Sequence, residues 1–254
     1  ALAMQLNREG CALYLSDINS KTLAETAALL ERQDVDCDLQ TLDVADHAAV
    51  EAWAQHVAAA RGQVDIVINN AGVGLVGTVE ENSYEDIQWL MGINFWGVVH
   101  GTRAFLPLLR KSSQGHLVNI SSMFGLIAVP TQSAYNAAKV AVRGYTEALR
   151  LELELEDSNV HICCVHPGGI STNIARESRG GDATPEERDE QFREMTRTTA
   201  ESAAAQIIRA VEKRKKRLLV GADARFVALT AWLAPVNYMR LLAPFLKNAL
   251  DMDK

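Results

Sequence analysis

The 254-residue chain has only four cysteines, none in a CxxC pair or at metal-ligand spacing, which leaves no support for a disulfide framework or a zinc site. Cys11, Cys37, Cys163 and Cys164 fall in predicted strands and read as buried, reduced thiols. An excess of basic residues is also lacking. The formal charge is −7, so nucleic acid is not an expected partner. The run KRKKR at 213–217 ends a predicted helix, where cations suit the helix dipole. No uninterrupted run of about 18 apolar residues is present. The most apolar stretch, 224–246, is broken by Pro235, Asn237, Arg240 and Pro244, and no membrane span is expected. No charged-then-apolar leader opens the sequence and no repeat punctuates it, so a cytoplasmic protein is the expectation.

What is present is enough apolar sequence, 48%, for one large domain covering 1–254. Strand-like runs recur at 11–16, 35–44, 64–70, 115–122, 160–167 and 217–221. Helical patterns occupy 1–8, 22–32, 48–61, 84–111, 132–157 and 202–213. This alternation specifies an α/β fold, a doubly wound and mostly parallel sheet with helices on both faces. Two segments break the rhythm. The polar stretch within 174–200 reads as a flap, and the apolar segment 222–250 as a pocket wall, a helix pair or an oligomer contact.

The order at the start is helix, turn, strand, acid, closing on Asp17. A dinucleotide-binding βαβ unit places an acid there to meet a ribose hydroxyl. Asp17 would bind a free 2′-hydroxyl and repel a 2′-phosphate, and no basic residue follows in Ile18–Asn19, so NAD is favoured over NADP. The other strand ends also carry polar residues or glycine. These are Asp43 with Val44, Asn69 to Gly72, Ser121 with Ser122, and Pro167 with Gly168 and Gly169. Ligands gather at the carboxyl ends of such sheets, and the ends together favour a cleft over ordinary turns.

In SAYNAAK, Tyr135 and Lys139 stand four apart on one helical face. A free phenol titrates near 10, and a neighbouring ammonium favours its anion, which would make it a usable proton shuttle. Ser122 precedes Tyr135 by thirteen residues and lies at a strand end, bringing a hydroxyl opposite the phenol. A carbonyl between them would accept two hydrogen bonds as hydride reaches its carbon. Ser121 competes for this role, but neighbouring strand residues face opposite ways, and the spacing favours Ser122.

The pieces LSDIN, LDV, NNAG, Asn94 in MGINFWGVVHG, NISS, YNAAK and HPGGIST together resemble the short-chain dehydrogenase/reductase family over nearly the whole chain. The resemblance implies a Rossmann-like sheet ordered 3-2-1-4-5-6-7 and a homodimer or homotetramer. It implies Tyr135 as acid/base, Lys139 lowering its pKa and holding the nicotinamide ribose, and Ser122 polarising the carbonyl. Asn94 would hold a water linked to Lys139. Asn70, Ala71 and Gly72 would line the adenosine side, Asp43 and Val44 the adenine, and Pro167, Gly168, Ile170 and Thr172 the nicotinamide. No metal is implied.

The expected activity is therefore hydride transfer between a secondary alcohol and a ketone. Phe226, Trp232, Leu233, Tyr238 and Met239 suggest a moderately large, apolar substrate. The competing reading is a dinucleotide-sensing or scaffold protein of the same fold. A sugar-nucleotide epimerase would need a larger carboxyl-terminal domain. His166 is a candidate pocket residue, His161 a packed or surface one, and Trp89, Phe95 and Trp96 read as packing residues. The family's first strand and TGxxxGxG loop do not appear in the sequence, and a further 15 to 25 residues upstream are expected by analogy with the βαβ unit. A true start at Met4 is the alternative. Without that strand the sheet is expected to split.

Overall fold

Each strand is followed by a helix long enough to cross back over the sheet, and the strands accordingly pair in parallel. The computed structural model describes residues 1–242. In chain order these hold α1 (Leu2–Arg8), β1 (Leu13–Asp17), α2 (Ser20–Ala28), β2 (Cys37–Thr41), α3 (His47–Arg61), β3 (Ile66–Asn69) and α4 (Tyr84–Met91). A π-helical turn, Gly92–Trp96, joins α4 to α5 (Gly97–Leu109), followed by β4 (Gly115–Ile120), α6 (Ser133–Leu155) and β5 (Val160–Pro167). The last elements are β6 (Ile170–Ser171), α7 (Pro185–Met195), β7 (Thr198–Thr199), α8 (Ala200–Glu212), β8 (Arg217–Val220) and α9 (Ala222–Leu233).

The ladders run β2-β1 and β3-β4-β5-β8, with β6 and β7 forming a small pair of their own. This matches the expected order, including the expected split: β1 and β3 share no ladder among the described residues. A cavity of about 350 Å³ lies beside β3, lined by Leu6, Cys11, Ile66, Ile68, His116 and Val211 among others.

Alternation along β4 and β5 feeds two cores. Leu117 and Ile162 meet Leu109 of α5 and Leu153 of α6. Val118 and Cys163 meet Ile207 and Val211 of α8 on the other face. Each such side chain contributes about 1.5–3 kcal/mol on burial. At the end of α1, Gly10 takes φ +84°, and the amides of Gly10 and Cys11 reach back to Asn7 and Leu6, closing the helix.

Several expectations change. The 84–111 pattern is interrupted by the π turn, a feature that apolar periodicity does not register. Cys11 lies before β1 and is half-buried, and Cys37 is exposed; only Cys163 and Cys164 are buried thiols. The polar segment 174–200 contains α7, whose Thr184 and Glu187 form a reciprocal capping box around Pro185. The apolar segment 222–250 is described only to residue 242, and its residues 243–250 lie outside the described part.

Candidate active site

The strand ends converge as the alternation requires. Asn69 donates to the Asn119 side chain at 2.8 Å, and Asn119 donates to Thr146 Oγ1 at 3.0 Å, so β3, β4 and α6 are tied by one polar chain below the cleft. Above it the two serines after β4 divide. The Ser121 hydroxyl donates to the Lys139 carbonyl at 2.8 Å and is buried against the α6 backbone. Ser122 has extended backbone and starts a short 3₁₀ turn, Met123–Gly125, by accepting from the Phe124 amide at 3.1 Å. Its side chain lies near enough to Tyr135 to act on the phenol.

Tyr135 and Lys139 share the inner face of α6. The Tyr135 ring meets Phe124 edge to face at 6.1 Å and keeps part of its surface open. Lys139 is 2% exposed, donates to the Ile120 carbonyl at 3.1 Å and lies 5.6 Å from the centroid of the Tyr135 ring. Burial pushes the Lys139 ammonium down to about 8. Burial also raises the Tyr135 phenol, opposed by the Ser122 side chain. The expected lowering of Tyr135 by Lys139 is therefore not what this geometry gives. Desolvation is the larger cause, and the ammonium is directed at a backbone carbonyl.

Asn94 sits in the π turn, fully buried, and clasps Val73 through both backbone groups, with bonds of 2.8 Å to its amide and from Nδ2 to its carbonyl. Its side chain thus fixes the chain beyond β3. Gly72 packs closely here, since a Cβ would lie 3.3 Å from Asn94 Oδ1 and 3.4 Å from Lys139 Nζ. Asn70 and Ala71 are exposed beside it.

Asp17 ends β1 exposed, accepting from the Asn19 amide at 2.8 Å just ahead of α2. Asp43 accepts from the Ala45 amide at 2.9 Å, and the Val44 carbonyl from His100 at 3.0 Å. Pro167 closes β5, Gly168 follows it, Ile170 lies in β6, and Thr172 is exposed just beyond. Asp223 was not singled out from the sequence. It begins α9, accepts from the Gly169 amide at 2.6 Å, and occupies the space a Cβ on Gly168 would need. The strand-end rule applied to β8 would have found it, since Asp223 lies three residues beyond Val220.

The flap meets α4. The Arg179 guanidinium lies 3.8 Å over the Trp89 ring and pairs with Asp86 at 3.1 Å, so Trp89 serves an intramolecular contact. Tyr238 accepts from the Ala128 amide at 2.7 Å, fastening the apolar segment to the loop between Ser122 and Tyr135. His161 pairs with His116 at 5.1 Å near the amino ends of β5 and β4, away from the carboxyl ends. His166 is fully buried beneath Ser122. No group of three metal-ligating side chains occurs among the described residues.

A family model described as short chain dehydrogenase matches residues 1–183. The chain belongs to that family. It is 44% identical over 245 residues to SadH of Mycobacterium tuberculosis, covering 96% of this chain and 89% of that protein. It is 32% identical over 239 residues to dehydrogenase/reductase SDR family member 7B of Mus musculus, covering 92% and 73%. A short-chain dehydrogenase/reductase of Burkholderia phymatum, solved in complex with NAD, superimposes with TM-score 0.83 at 29% identity, covering 93% of this chain and 89% of that one. Among the described residues no helix is long and apolar enough to cross a membrane.

Proposed function

We propose that this short-chain dehydrogenase uses NAD to interconvert a secondary alcohol and a ketone. The observation that carries the proposal is the placement of Ser122 against Tyr135, with Lys139 buried one turn further along α6. The residues fit a dinucleotide. Asp17, Asp43, Asn70 and Gly72 stand at successive carboxyl ends of β1, β2 and β3, and the missing Cβ of Gly72 leaves the chain open beside Asn94 and Lys139. Asp17 supports NAD over NADP by its charge.

When bound, the dinucleotide supplies or accepts hydride. The protein's own part is the proton. The Ser122 hydroxyl donates to the substrate oxygen and holds it beside Tyr135, whose phenol delivers a proton to the developing alkoxide. In the oxidative direction Tyr135 takes that proton back. The Lys139 ammonium, held by the Ile120 carbonyl, keeps a donor and a positive charge on the same face of α6 as Tyr135.

A moderately large, apolar substrate is favoured by the partly exposed Met123 and Tyr238 near Ser122, which pack on a core of Ile127, Val129, Val227 and Leu242. We place the enzyme in the cytoplasm, where free thiols such as Cys37 and Cys163 stay reduced. We propose a homodimer or homotetramer built through α5 and α6, near which Trp96, Val140 and Leu155 are exposed.

The test is Tyr135→Phe in a panel of alcohols and ketones with NAD and NADP. Retained dinucleotide binding with turnover lowered roughly 10²–10⁴-fold is expected. Unchanged turnover would remove Tyr135 from the chemistry. Dinucleotide binding with no turnover of any substrate by the unmutated protein would favour the sensing or scaffold reading.

A further inference from the structure

His166 is the penultimate residue of β5 and has no exposed surface. Its Nδ1 lies 2.9 Å from the Ser122 carbonyl oxygen. A carbonyl only accepts, so Nδ1 must carry the hydrogen, and a neutral imidazole protonated there has a bare Nε2. That atom is buried and has no hydrogen-bond partner among the described residues. Burial pushes the imidazolium form down and outweighs the bond to Ser122, which favours it, so the ring is neutral.

An apolar side chain would fill the same space without stranding a polar atom. What the imidazole adds is its bond to Ser122. That carbonyl also accepts from the Gly125 amide at 2.9 Å, while the preceding Ser121 is fixed through its amide to Val165 and through its hydroxyl to Lys139. The chain leaves β4 and turns into the 3₁₀ segment at Ser122 itself. Orienting its peptide carbonyl sets the direction of its Cα–Cβ bond, and so the position of the hydroxyl that faces Tyr135. We propose that His166 is a positioning residue for Ser122, holding its hydroxyl in line through the Nδ1–H bond to the Ser122 carbonyl. The inference rests on the assignment of Ser122 to carbonyl polarisation.

The experiment combines His166→Phe, which removes the donor, and His166→Asn, which keeps one at the Nδ position, each with Ser122 intact and with Ser122→Ala. Turnover is measured on the best secondary alcohol of an aliphatic and cyclic panel with NAD, alongside dinucleotide binding. Expected are a roughly ten-fold or larger fall in kcat for His166→Phe with little change in NAD affinity, restoration by His166→Asn, and no further loss from His166→Phe when Ser122 is already Ala. Equal losses in both backgrounds, or unchanged kcat, would overturn the positioning role. Retained turnover in Ser122→Ala alone would instead remove the Ser122 assignment. Should His166→Phe fail to fold, nitrogen-15 ring spectra of the unmutated protein decide, with His166→Asn used to assign the signal. The Nδ1–H tautomer is expected, and an Nε2–H tautomer overturns the proposal.

Discussion

Lys139 lies 5.6 Å from the centroid of the Tyr135 ring, yet its hydrogen bond goes to the Ile120 carbonyl and not to the phenol. The ammonium is thus placed as a buried charge beside the proposed acid/base and is not consumed by it. Holding a charge there costs stability, and the cost has a pH signature.

The first prediction concerns that signature. Burial lowers Lys139 from 10.5 to about 8, which corresponds to roughly 3 kcal/mol. Below pH 8 folded and unfolded chains both carry the proton, and the folded state bears the full cost. Between pH 8 and 10.5 only the unfolded chain keeps it, so this group makes stability rise with pH through that window. Lys139→Met should be more stable than the unmutated protein at pH 7 by about 2 kcal/mol, after losing a bond of about 1 kcal/mol to Ile120. Denaturant unfolding across the window should show the gap closing. A gap that stays constant would mean Lys139 does not carry a buried charge.

The second prediction comes from how closely the serine loop approaches α6. A Cβ on Gly125 would stand 2.8 Å from the Lys139 carbonyl oxygen and closer still to Ser121 Oγ. Backbone on α6 cannot yield without moving Tyr135, so Gly125→Ala must lift the loop that carries Ser122. About 1–3 kcal/mol of stability should be lost. Turnover should fall by more than that loss explains at temperatures where the protein stays folded. Thermal melts and kcat measured together check this, and unchanged kcat in a folded variant would show that the loop adapts without moving Ser122.

Much of this site is readable without coordinates because a parallel sheet puts its strand ends on one side. Asp17, Asp43, Asn70, Ser122 and Pro167 are found simply from their positions at the carboxyl ends of the apolar runs, and β5 begins and ends where the sequence pattern does. Contacts between segments far apart in sequence carry no such signal. Arg179 over Trp89, Asp223 on Gly169 and His166 on Ser122 depend on how separate elements pack. The helix α7 is a different case. TPEE at 184–187 is a capping-box signature with proline in place, and the polarity of the segment concealed it. The π turn at Asn94 leaves the apolar pattern nearly intact, so periodicity reads one continuous helix.

The third prediction tests cofactor choice. Asp17→Asn keeps the oxygen that accepts from the Asn19 amide and removes only the charge. The turn ahead of α2 should survive, and the preference for NAD over NADP, measured as the ratio of kcat/KM values, should fall by at least about ten-fold. An unchanged ratio would mean that the discrimination lies elsewhere.

The last prediction concerns the proposed flap, 174–200, whose local order depends on one side chain. Arg188 donates to the carbonyls of Ala183 at 2.6 Å, Ser178 at 3.0 Å, Gly180 at 3.2 Å and Ala175 at 3.3 Å, gathering the loop ahead of α7 around a single guanidinium. Arg188→Met retains most of the stem and removes every donor. The core packs through other residues, so the global melting temperature should move little. Local opening of 175–184 should become easier by roughly 2 kcal/mol, about thirty-fold in the population of the open form. Limited proteolysis should then cut within that segment about thirty times faster, with binding of apolar substrates weakened and NAD affinity unchanged. Cleavage at the unmutated rate would show that the Arg179 contacts with Trp89 and Asp86 are sufficient to hold the flap by themselves.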